Sequence, residues 1–286
     1  MSQPHRLALV IGSGGVRSVA ALGVADALER QRLQPDLIVG CSGGAMFGAA
    51  LAAGRGVAHA VQLAMRLWTD ELTRQRRWRA PLQLLMPRRF GFDADFALRD
   101  DRAIVGRLRA AFGDTRIEQL PVPLRITATC PASGERVVIE RGPVVDALRA
   151  SIALPFVFAP GRVDGRRLVD GFVSDPLPVS VAADARAVLA LGFRTPLPGR
   201  VDGPRRLMAQ LLAAMTNNLM DAQLAAARAA GQRLLVLEPG LERRVGLFET
   251  RAIPALVQAG RCLADERLGC IRALVDEARA PLALAA

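Results

Sequence analysis

Lysine is absent from the 286 residues, so all 38 basic side chains are arginine. A phosphate-binding P-loop lysine and a Schiff-base lysine are excluded with it. Histidine is scarce. His5 precedes the first apolar run and His59 lies in a helical stretch, whereas an α/β-hydrolase triad keeps its histidine late in the chain, after nucleophile and acid. The four cysteines, Cys41, Cys130, Cys262 and Cys270, show no CxxC or Cys/His metal spacing. Each falls in an apolar or helical context, which reads as buried thiols in a reducing cytosol rather than as disulfides or metal ligands. A membrane span is lacking too, because the longest uncharged run, Leu37 to Gly54, is interrupted by five glycines and reads as strand, turn and helix. The run "LALVI" after Arg6 is too short for a secretory core. The expectation is a cytoplasmic protein with no metal and no cofactor.

What is present suits a globular α/β protein. At 51% hydrophobic and 23% charged residues the chain can bury a full core. Short apolar runs ("LALVI", "DLIV", "LRITAT", "RVVIE", "AVLALGF", "RLLVLEP") alternate with helical patterns such as Val16 to Arg32, implying parallel strands with crossover helices. There is no internal repeat. The expected organisation is a single domain over 1–286, with a catalytic core at about 5–195 and a C-terminal helical part at about 203–286. The Pro/Gly-rich "RTPLPGRVDGPRR" (194–206) reads as a loop before a helix of about Leu207 to Gln232, whose stripe Leu207, Leu211, Met215 and Leu219 is assigned to the core. The net charge of +11 invites a nucleic-acid reading. Arginine beside abundant alanine is as well explained by compositional bias, and no nucleic-acid partner is expected.

Two glycine clusters carry the chemistry. The first, "VIGSGGVRS" (10–18), follows a buried strand. The dinucleotide fingerprint GxGxxG fails at Arg17, where its third glycine should stand. A plain turn needs fewer small residues. Gly12, Gly14 and Gly15 at a strand-to-helix junction instead leave amide N–H groups open to an anion at the positive end of the next helix. The second cluster, Gly40-x-Ser42-x-Gly44, lies between an apolar strand and an alanine-rich helix, the setting of a nucleophile elbow. Ser42 is therefore the candidate nucleophile, and Cys41 points back into the sheet. Without a placed histidine or any lysine, the base must be Asp or Glu. Asp170, in "RRLVDGFVSDPLPV", is the best candidate, although an Asp-Gly pair is equally an ordinary turn.

Together "GSGGVRS", "GCSGG", "DGF" and "GPVVDALRASIALPFVFAP" (142–160) resemble the patatin-like phospholipase family over most of the chain. The resemblance implies a three-layer α/β/α fold with a central, mostly parallel sheet and a calcium-independent serine lipid acyl hydrolase. It also implies a Ser42–Asp170 dyad. The oxyanion hole would be formed by backbone N–H groups of Gly14, Gly15, Val16 and Gly43, with Gly12, Arg17, Gly40, Gly44 and Gly171 in support. Three departures stand out: Ser13 and Ser18 replace glycines of the family pattern, and Phe172 replaces a small residue beside the base, narrowing the site.

Residues 66–92 hold seven arginines against Asp70 and Glu71, interleaved with both tryptophans, Trp68 and Trp78, and with leucines and phenylalanines. That mixture suits an anionic membrane interface, as a lid or docking segment with peripheral contact; a solvated helix with a buried stripe explains it equally well. The expected partner is a lipid or ester substrate, and the oligomeric state is open. Three alternatives remain. An acyl-carrier transacylase would want a histidine after the serine, a non-catalytic lipid-binding or scaffold protein would not need Ser42, and a nucleic-acid binder would depend on arginine alone.

Overall fold

The computed structural model describes residues 5–69, 75–240, 245–246 and 248–279. Eight strands form one sheet: β1 (Leu7–Ile11), β2 (Leu37–Cys41), β3 (Leu124–Thr129), β4 (Arg136–Ile139), β5 (Gly161–Val163), β6 (Arg166–Asp170), β7 (Ala187–Leu191) and β8 (Leu234–Leu237). Its centre is parallel, in the order β3, β2, β1, β7, β8. Successive residues of β1 point to opposite faces and all are buried, which is why its sequence is continuously apolar rather than alternating. Leu7, Leu9 and Ile11 enter one core, Ala8 and Val10 the other.

The larger core lies under α1 (Ala20–Arg30), α2 (Gly43–Ala52), α3 (Val57–Leu67), α6 (Arg102–Phe112), α7 (Val144–Ser151), α9 (Ile253–Glu266) and α10 (Leu268–Arg279). The smaller core lies under α8 (Pro204–Ala229) and a 3-10 turn, Val179–Ala182. Two short helices, α4 (Ala80–Leu85) and α5 (Pro87–Phe90), lie outside both. The result is the three-layer α/β/α arrangement with a mostly parallel sheet.

Three expectations need correction. The stripe Leu207, Leu211 and Met215 is not core, each residue being about half exposed or more. The buried face of α8 is Ala213, Met220, Leu224 and Ala227, and the helix runs from Pro204 to Ala229 because proline fits its first turn. Of the cysteines only Cys41 is buried; Cys262 and Cys270 fall on the outward phase of α9 and α10. Finally, the stretch Val16 to Arg32 opens as a 3-10 turn, Gly15–Val19, before α1 begins. The run "RLLVLEP" supplies β8, which pairs with β7 at the sheet edge.

One feature of the register positions the site. Cys41, the last residue of β2, pairs with Thr127, and the next residue of β3, Ala128, pairs with Asp170 of β6. β4 occupies the opposite edge of β3 at residues 126–129, so β6 takes the place β2 vacates when its chain turns away at Ser42. An aspartate 128 residues along the chain is thereby brought beside the turn.

Candidate active site

Ser42 is held at φ 56° and ψ −124°, a left-handed conformation uncommon for a residue with a side chain. Such strain costs on the order of 1–3 kcal/mol and persists only where the surroundings impose it. Here they do. The Ser42 amide donates to Ser151 Oγ (2.9 Å), whose own hydroxyl donates to the Thr127 carbonyl (2.7 Å).

The glycines on either side serve close approach. A Cβ on Gly43 would stand 2.3 Å from the Gly15 carbonyl oxygen, and one on Gly44 2.2 Å from that of Ile11. The two glycine-rich turns therefore touch backbone to backbone, and alanine fits at neither position. A Cβ on Gly40 would meet Ala45 at 2.5 Å, so the same constraint closes the elbow from the strand side.

Ser42 Oγ donates to Asp170 Oδ2 at 2.6 Å. The aspartate is 1% exposed; its Oδ1 accepts the Phe172 amide (3.0 Å), and Thr129 Oγ1 donates to its main-chain carbonyl. Burial is the dominant influence and raises its pKa to about 7, against the opposing pull of the Phe172 and Ser42 hydrogen bonds. A carboxylate of ordinary pKa is too weak a base for a serine hydroxyl; this one is poised near neutrality. Burial raises the Cys41 thiol as well, so it stays protonated and packed.

The first glycine turn faces the same space. Ser13 and Gly12 are tied by their amides to the carbonyls of Pro176 and Leu191, whereas the amides of Gly14 and Gly15 donate to no main-chain carbonyl among the described residues. The amide of Gly43 opens α2 and so lacks an intrahelical acceptor. Val16 and Gly43 are buried outside the cavity wall, Val16 anchoring the turn in the larger core. Arg17, 8% exposed, donates from Nε to the Gly14 carbonyl (3.3 Å) and from Nη1 to the Arg194 carbonyl (2.9 Å), and burial lowers its pKa. Ser18 donates to the Gly12 carbonyl (3.0 Å), which accommodates one departure from the family pattern. Gly171 packs against the Thr127 carbonyl and the Cys41 sulfur.

Ser42, Asp170, Gly14, Gly15 and Arg17 share the wall of a cavity of about 300 Å³. The rest of its lining is mostly apolar: Trp68, Ile104, Ile152, Leu154, Phe158, Phe172 and Phe248, with Leu212 and Ala213 of α8. Trp68 stacks on Phe248 at 6.0 Å between ring centroids, and Phe158 meets Phe248 edge-on. Neither histidine lines this cavity. Sequence reasoning missed Ser151, whose signal was a polar residue on the buried phase of α7, and it missed the contribution of α8.

The segment 66–92 divides. Trp68 belongs to the cavity, whereas Trp78 (73% exposed) and Leu85 (77%) face solvent, and Ala80 alone is buried in the two short helices. Asp70, Glu71 and Arg74 lie outside the described residues. Arg76, Arg77 and Arg79 line a separate cleft with Gln83, Asp100 and Arg102. No helix among the described residues is long and apolar enough to cross a membrane.

A serine held on a strand–helix turn donates to a buried carboxylate over an apolar cavity, an arrangement able to pair a nucleophile with a proton acceptor. The patatin-like phospholipase profile matches residues 9–183, and the chain belongs to that family. An uncharacterized NTE family protein of Mycobacterium tuberculosis is 40% identical over 207 residues, covering 72% of this chain and 52% of that protein. Patatin-like phospholipase domain-containing protein 6 of Mus musculus is 30% identical over 192 residues, 65% of this chain and 13% of its own length. Among solved structures, VipD from Legionella pneumophila aligns with a TM-score of 0.49 and 14% identity over 92% of this chain and 66% of its own. The chain spans about half the length of the mycobacterial relatives it matches.

Proposed function

We propose that the protein is a serine lipid acyl hydrolase working through a Ser42–Asp170 dyad. The observation that carries the reading is the 2.6 Å hydrogen bond between Ser42 and an aspartate whose pKa burial lifts to about 7, at the wall of an apolar cavity. In the first step Asp170 takes the Ser42 hydroxyl proton as Oγ attacks the ester carbonyl carbon. The oxyanion is met by the amides of Gly14 and Gly15 at the cavity wall, donors of the kind worth about 3–4 kcal/mol each in acyl transfer. As the tetrahedral species collapses, the carbon–oxygen bond to the alcohol breaks and Asp170 returns the proton to the leaving oxygen. Water then repeats the sequence on the acyl-enzyme, with Asp170 as its base, releasing the carboxylic acid and regenerating Ser42.

Arg17 holds the first turn by the Gly14 carbonyl, which keeps that turn in place at the cavity wall. At about 300 Å³ the cavity is at the small end of the ligand-site range of about 300–1,000 Å³, which suits one acyl chain. Phe172 narrows it beside the base. The exposed Trp78 and Leu85, with Arg76, Arg77 and Arg79, support peripheral contact with anionic lipid through the 66–92 segment.

Hydrolysis of short-, medium- and long-chain p-nitrophenyl esters by wild type, Ser42→Ala and Asp170→Asn tests the reading. Turnover lost in both variants at unchanged folding is the expected result; turnover that survives Ser42→Ala overturns it.

A further inference from the structure

The first half of α8 carries an apolar face that is left exposed among the described residues. Met208, Leu211, Leu212 and Met215, at helical spacing i, i+3, i+4 and i+7, are between 51% and 67% exposed. At 100° per residue they form one stripe on the side away from Met220, Leu224 and Ala227, which seat the helix on the sheet. A helix with two apolar faces buries one in its own core and keeps the other for a partner.

The stripe runs into the acyl cavity. Leu212 is both half exposed and part of the cavity wall, with Ala209 beside it. The helix is also fastened to the catalytic turn. Asn217 exchanges two hydrogen bonds with the main chain of Thr195 (2.9 and 3.0 Å), and the neighbouring Arg194 carbonyl accepts from Arg17, which holds Gly14. Charge then selects the partner. At the start of the helix Arg206 pairs with Asp202 and at its middle Asp221 pairs with Arg194, so the stripe itself carries no net negative charge, and the whole chain carries +11. Two copies of so basic a chain repel one another, and a copy seated on Leu212 would cap the cavity. An anionic bilayer is attracted instead and offers acyl chains where the cavity opens.

We infer that the outer face of α8, centred on Met208, Leu211 and Met215, seats the protein on an anionic lipid surface and forms the side from which an acyl chain enters the cavity. The entry role rests on the hydrolase reading; the docking role does not.

The test is sedimentation of the full chain with phosphatidylglycerol/phosphatidylcholine vesicles, set beside turnover of a soluble short-chain ester, for wild type and the pair Leu211→Glu/Met215→Glu. Neither residue lines the cavity. Vesicle binding is expected to fall by about tenfold or more, with soluble-ester turnover within about twofold of wild type. Should the glutamate pair melt early, Leu211→Gln/Met215→Gln is scored by the same two readouts. The docking inference is overturned if both pairs bind vesicles as wild type does, if wild type does not bind, or if the stripe holds a concentration-dependent dimer that the substitutions dissociate while vesicle binding persists. Absence of ester turnover in wild type counts against the hydrolase reading alone and leaves the vesicle result to decide the surface.

Discussion

The floor of the cavity and its rim are built on opposite terms. On the floor, two turns meet at distances that admit no side chain at Gly43 or Gly44, and Ser42 is forced into a left-handed conformation between them. At the rim, the first half of α8 leaves large apolar side chains in solvent, as the Trp78–Leu85 region does beside its own cleft, with little packing to define which residue stands where. Where backbone geometry limits the choice of residue, sequence and structure correspond position by position; where only apolar character is required, they do not. In the proposed reaction, rigidity serves the step that makes and breaks bonds, and loosely specified apolar surface the step that collects substrate.

Substitutions on the floor should therefore act on turnover, and those at the rim on binding. The largest effect is expected for Ser42→Ala and Asp170→Asn, each lowering kcat/KM by about a thousandfold or more, as for other nucleophile–base units. Vesicle binding should be unchanged in both, and a parallel loss there would erase the distinction between floor and rim. Next is Gly44→Ala, whose Cβ would lie 2.2 Å from the Ile11 carbonyl oxygen. Forcing the two turns apart should cost about 3 kcal/mol or more and lower the melting temperature by several degrees, read by calorimetry.

Trp68→Ala falls between the two regions, since Trp68 stacks on Phe248 at the cavity wall. It should shift the chain-length optimum toward longer acyl groups while costing about 3 kcal/mol of stability. An unmoved optimum would mean that the aromatic wall does not bound the chain.

The pH dependence follows from Asp170. The proposed mechanism requires its ionised form, so kcat/KM on an uncharged ester should rise with pH and level off above about 7. The stability consequence has the opposite sign. The carboxyl ionises near 3.8 when unfolded and near 7 when folded, so the folded state holds the proton longer, and stability falls as pH rises through that window. Asp170→Asn, which cannot ionise, should gain melting temperature relative to wild type between about pH 4 and pH 7. A constant difference would contradict the burial of the carboxylate. The smallest effect is expected for Arg76→Ala/Arg77→Ala/Arg79→Ala, a salt-sensitive weakening of vesicle binding by a few-fold, with turnover of a soluble ester unchanged.

The same contrast explains what could be read in advance. Gly40, Ser42, Gly44 and the first glycine turn were legible because a strand–turn–helix junction under close approach admits few residue types. Asp170 was legible only in part, since an Asp-Gly pair also makes ordinary turns; what distinguishes it is the register of β6 on β3, a pairing between segments far apart in sequence. Ser151 was hidden for the same reason, its partner being the elbow amide 109 residues away. The stripe of α8 was misread as core because periodicity reports that a face is apolar and not what lies against it. The exposed Cys262 and Cys270 were misassigned in the same way, from helical context without helical phase.

The central claim is that Ser42 is a nucleophile activated by Asp170, and reaction with an alkyl fluorophosphonate followed by intact-mass analysis and peptide mapping tests it most directly. One adduct on the Ser42 peptide is expected in wild type, formed about a hundredfold or more slowly in Asp170→Asn. Labelling at Cys41 or elsewhere, no labelling of wild type, or an equal rate in Asp170→Asn would contradict it.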